Sequence, residues 1–86
     1  MQKTEYINKI YQICDTVRLV DDNPDVISRK QICSVWNSSN PLRPTVPGYW
    51  MSDAMEDWGK QNGYRLLFTL TKSGRRRNVT LVKFKA

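Results

Sequence analysis

YRLLFTLTKSGRRRNVTLVKFKA, residues 64–86, holds two β-rich runs on either side of SGRRRN. Leu66 to Thr71 is rich in branched, aromatic and threonine side chains, and Val79 to Phe84 is a second such run. Gly74 supplies the backbone angles of a tight reversal, and Ser73 and Asn78 tolerate turns. The stretch reads as a β-hairpin over about residues 64–85, with Lys72, Arg75, Arg76 and Arg77 at its tip. Leu66, Phe68 and Leu70 alternate with Leu67, Thr69 and Thr71. Thr80, Val82 and Phe84 alternate with Val79, Leu81 and Lys83. Both faces of the second strand carry apolar groups, so the pairing register stays open, and a slip of one residue would exchange the faces.

Charge is concentrated in the same stretch. Residues 60–86 hold Lys60, Arg65, Lys72, Arg75, Arg76, Arg77, Lys83 and Lys85 and no acid, a balance of +8. Residues 1–59 hold six basic and eight acidic side chains, a balance of −2, which gives the chain its +6. A local basic patch suits a polyanion, with nucleic acid ahead of an anionic membrane. The plain alternative is a solvated hairpin that aids solubility. Eighty-six residues bound the chain to one domain with one modest core.

Upstream of the hairpin, residues 47–62 read as a third helix that stops at Gly63. Met51, Ala54, Met55 and Trp58 follow the helical period. Gly59 inside this helix costs roughly 1 kcal/mol relative to alanine, and close packing against the hairpin would explain it. Thr45 is a candidate cap, with Pro47 close behind. The preceding NSSNPLRPTVPG, residues 37–48, is a stiff loop with three prolines and one charge, Arg43. Loops of this kind often carry binding groups.

Residues 28–37 read as a second helix with complete local signals. Ser28 and Gln31 match a capping box, and Ile27 and Ile32 match a hydrophobic staple. Ile32, Val35 and Trp36 form its inward stripe. Arg29 and Lys30 occupy the first turn, where positive charge opposes the helix dipole and an anionic partner would relieve the cost. DDNPD, residues 21–25, is a turn whose three acids should point away from any phosphate. A first helix over 4–19, capped by Thr4, carries Ile7, Ile10, Cys14 and Val17, with Tyr6, Ile13 and Val20 widening the stripe.

The chain has no histidine and two cysteines, Cys14 and Cys33. Neither a zinc site nor any other metal or cofactor site is expected. Both cysteines fall in apolar patterns, so buried thiols in a reducing compartment are expected. The start of the chain lacks a long apolar run, so neither secretion nor a membrane span is expected, and the location is cytoplasmic or nucleoid-associated. No pair of carboxylates is pinned by spacing, and Ser38 and Ser39 have no activating partner. The chain is not expected to be an enzyme.

The order helix, helix, loop, helix, basic hairpin, over Thr4 to Phe84, resembles the winged helix-turn-helix superfamily of DNA-binding domains. The resemblance rests on element order and the arginine-rich wing. It implies an α+β fold of three helices with a C-terminal β-hairpin wing. It also implies that the third helix enters the major groove while the wing touches backbone or minor groove. Thr45, Tyr49 and Ser52 would then meet phosphates or base edges, with Arg43, Arg29 and Lys30 nearby and Lys72, Arg75, Arg76 and Arg77 on the wing. Two features depart from the pattern. The link between helices two and three exceeds the usual compact turn. Asp53, Glu56 and Asp57 also lie on the third helix, where acids can read cytosine but repel the backbone.

The expected function is duplex DNA binding by a small regulator of transcription or replication, with a homodimer as one option. The alternative is a protein-interaction module of the phage- or plasmid-accessory type, docking a partner protein through its acidic and basic faces. RNA binding through shape and phosphate contacts is a third class.

Overall fold

A computed structural model describes residues 2–39 and 48–84, and of Tyr49 the backbone alone. These residues form an α+β fold in the order α1 (Lys3–Val20), β1 (Val26–Ser28), α2 (Arg29–Ser39), α3 (Gly48–Asn62), β2 (Tyr64–Leu70) and β3 (Arg76–Lys83). The strands make one antiparallel sheet in the order β1-β3-β2.

The helical stripes fold as their spacing predicts. Tyr6, Ile10, Ile13, Cys14 and Val17 of α1 are buried, as are Ile32 and Trp36 of α2 and Met51, Ala54, Met55 and Trp58 of α3. They close over Ile27, Tyr64, Val79 and Leu81 from the sheet. The large aliphatic side chains among them each contribute roughly 1.5–3 kcal/mol by leaving water. Aromatic rings tie the layers together: Tyr6 stacks on Trp36 at 5.4 Å, and Trp58 meets Tyr64 at 5.4 Å. Val20 departs from expectation. It is the last residue of α1 and 76% of its surface is exposed.

The start of α2 follows its local sequence closely. Gln31 N–H donates to Ser28 Oγ at 3.2 Å, and Ser28 N–H donates to Gln31 Oε1 at 2.9 Å. The start of α1 differs. The helix begins at Lys3 with Gln2 as its cap residue, and no side chain caps it, so Thr4 lies inside the first turn. At its other end the chain turns through Asp22 and Asn23, at φ 56° and 55°, a region that short polar side chains tolerate. The turn is anchored through its backbone: Tyr64 Oη donates to Pro24 O at 2.6 Å, and Lys83 N–H donates to Asp25 O at 2.8 Å.

Strand β1 was not expected from the sequence. Three residues are too few to show a period, and their partner is remote, with Ile27 opposite Leu81. Both of these side chains are fully buried. The hairpin differs in its bounds. Arg76 and Arg77 belong to β3, opposite Leu70 and Thr69, rather than to the tip. Cross-strand hydrogen bonds hold arginines in a strand when no apolar alternation marks them.

Both cysteine thiols are free, Cys14 buried and Cys33 half-buried. Burial pushes the Cys14 thiol up to about 12, with Asp15 adding to the effect. None of the described helices is long and apolar enough to cross a membrane.

Candidate nucleic-acid interface

The hairpin tip is built by its hydroxyl and glycine residues. Arg75 O accepts from Thr71 N–H at 2.8 Å, and Thr71 O accepts from Gly74 N–H at 2.9 Å, with Gly74 at φ 82°. Thr71 Oγ1 also accepts from Arg75 N–H at 3.0 Å and sits 3.0 Å from Ser73 Oγ. The reversal is thus internally bonded, and its cationic side chains are held on a defined backbone.

A bulge then decides which way each arginine faces. The register runs Leu67 opposite Thr80 and then Thr69 opposite Arg77, so β3 carries one residue more than β2 across this interval. Asn78 takes the left-handed conformation there, at φ 54°. Val79 and Leu81 face the core. Regular alternation would bring Arg77 to the same face, and the extra residue brings Arg76 instead. Arg76 shares the inner face with Phe68, and its guanidinium carbon lies 4.5 Å from the centre of that ring.

Arg76 therefore meets α3. Its Nη1 lies 3.9 Å from Asp53 Oδ1 and 3.7 Å from Glu56 Oε2. Glu56 is also 3.5 Å from Lys60 Nζ, one helical turn on. Lys72, Arg75 and Arg77 are exposed.

Between the tip, α2 and α3 lies a cleft of about 830 Å³. Arg29 borders it from α2, Ser52 and Asp53 from α3, and Thr71, Ser73 and Arg75 to Arg77 from the hairpin. The residues expected to bind nucleic acid separate accordingly. Arg29, Arg75 and Arg77 gather at the cleft. Lys72 lies on the other flank of the tip, beside Thr69 and Asn78, and Arg77 borders both flanks. Lys30 points to the opposite side of α2, into a groove with Thr16 and Val20 of α1. Ser52 is only 1% exposed, because its position on α3 turns inward beside Met51, which takes it out of the exposed contact set. Tyr49 falls in the first turn of α3 and only its backbone is described. Arg43 and Thr45 lie outside the described residues.

Sequence reasoning missed two participants. The Thr71 and Ser73 hydroxyls line the cleft and were read only as strand and turn residues, although their place beside the arginines was a usable signal. The pairing of Asp53 and Glu56 with Arg76 left no signal, since the partners are distant in the chain and meet only through the bulge. Electrostatically the cleft is cationic at its rim. Arg29 adds charge at the start of α2, a helix with no acid in its first turn. Such a rim can take phosphate oxygens through guanidinium and hydroxyl donors.

No family model, curated protein or solved structure matches this chain.

Proposed function

We propose that the protein is a winged helix-turn-helix DNA-binding protein that acts on duplex DNA in the cytoplasm or nucleoid as a small regulator. The observation that carries this reading is the convergence of Arg29, Arg75 and Arg77 on one cleft beside α3. Guanidinium groups on a bonded hairpin suit a row of phosphates better than they suit a single small anion. The order of three helices followed by a basic hairpin supports the family reading, as does the packing of that hairpin against α3. In this arrangement the wing and Arg29 neutralise backbone charge, and the start of α3 approaches the bases.

The acidic face of α3 is partly paired within the fold, although Asp53 stays 60% exposed. Asp53 and Glu56 face Arg76 and Lys60, which leaves Asp57 as the exposed acid of that helix without an ion pair among the described residues. Titrating a labelled duplex at low salt, with unlabelled duplex, single-stranded DNA and RNA as competitors, tests the proposal. Binding that duplex DNA competes best is expected. Absence of binding at low salt, or stronger competition by RNA, contradicts it.

A further inference from the structure

Arg76 borders the same cleft as its two neighbours but differs from them in exposure and in its partners. Its side chain is 35% exposed, whereas those of Arg75 and Arg77 are open to solvent. Its Nη1 is buried and makes no hydrogen bond, yet two carboxylate oxygens from α3 lie at 3.7 and 3.9 Å. The guanidinium covers the Phe68 ring, which supplies an attractive face on its remaining side. Asp53, Glu56, Arg76 and Lys60 carry two negative and two positive charges, so the group is electrically closed. Two effects follow from this one side chain. The hairpin is tied to α3 where β3 begins, just before the bulge, and two of the three acids of α3 that would repel a DNA backbone, Asp53 and Glu56, are paired from within the fold.

We infer that Arg76 is a positioning residue of the interface, holding the wing against α3 through Asp53 and Glu56, while Arg75 and Arg77 make the phosphate contacts. This rests on the duplex-binding reading for its functional half only. The attachment of the wing is a property of the free protein. An arginine that already faces two carboxylates releases few counterions when DNA arrives, because its charge is balanced beforehand.

The test uses the full chain with single and combined substitutions. Duplex affinity is measured against salt by fluorescence anisotropy, and hydrogen exchange is measured on the free protein. Arg75→Ala and Arg77→Ala should each reduce the magnitude of the log–log salt slope by about 0.9. Arg76→Ala should weaken binding without that change in slope and should accelerate exchange of the Thr69 to Arg77 amides, which the other two variants leave unchanged. When Asp53→Asn and Glu56→Gln are both present, Arg76 is released, and Arg76→Ala should then remove about 0.9 from the slope. Loss of about 0.9 on Arg76→Ala in the unaltered background overturns the inference by making Arg76 a direct contact. Unchanged exchange in that variant overturns it as well. If the unaltered protein binds no duplex, the DNA-binding proposal fails, and the exchange comparison alone decides whether Arg76 positions the wing.

Discussion

Gly59 lies in the middle of α3, where a Cβ would stand 2.8 Å from Leu81 Cδ2 and 3.0 Å from the Tyr64 carbonyl oxygen. The absence of a side chain lets helix and sheet approach. Alanine would gain roughly 1 kcal/mol of helix propensity. Against this, overpacking of a filled core typically costs about 1–3 kcal/mol, and the carbonyl belongs to backbone that cannot rotate away. Gly59→Ala is therefore expected to destabilise the fold by up to about 2 kcal/mol, lowering the melting temperature by about 4–8 °C per kcal/mol in a domain of this size. A higher melting temperature would mean that Leu81 gives way and propensity wins. Asn78 presents the opposite requirement, for a particular backbone angle instead of space. A β-branched residue forced to its φ of 54° loses roughly 1–2 kcal/mol. Asn78→Val should show that loss in thermal unfolding, while Asn78→Gly should cost about half a kcal/mol or less. Equal effects of the two would remove backbone angle as the reason for asparagine.

Among the elements, what could be read from the chain is what is encoded locally. The Ser28–Gln31 box joins residues three apart, and the stripes of α1, α2 and α3 repeat within single helices, so spacing alone reveals them. The stop at Gly63 was legible for the same reason, and the glycine takes φ 82° there. Strand β1 was not legible, because Val26–Ser28 is too short for a period and gains its backbone partners from β3, far along the chain. The hairpin was half legible. Its two runs and its glycine turn were visible, but the register depends on a bulge placed by packing on the inner face. That bulge separates three arginines that look equivalent in sequence, turning Arg76 to α3 and leaving Arg75 and Arg77 outside. The candidate site was legible in its charge and not in its geometry. Composition placed the basic residues on one hairpin. The folded chain divided Arg29 from Lys30 and buried Ser52.

Across the whole molecule, charge and shape are arranged with different ends. The turn after α1 is tied to the sheet through the Pro24 and Asp25 carbonyls, which accept from Tyr64 and Lys83, at the end of the sheet away from the hairpin tip. The hairpin carries Lys72, Arg75 and Arg77 as exposed cations; Arg29 shares the cleft with Arg75 and Arg77, and Lys72 lies on the other flank. A surface of this kind should draw most of its affinity from phosphate charge and lose it steeply as salt competes. In the proposed function, duplex DNA is bound through these cations. The most direct measurement of this is the salt dependence of duplex affinity for the unaltered chain and for Lys72→Ala/Arg75→Ala/Arg77→Ala. With four to six phosphates neutralised, the log–log slope should be about −4 to −5 for the unaltered protein, reduced in magnitude by about 2.7 in the triple variant. Binding with a slope that the three substitutions leave unchanged would contradict it.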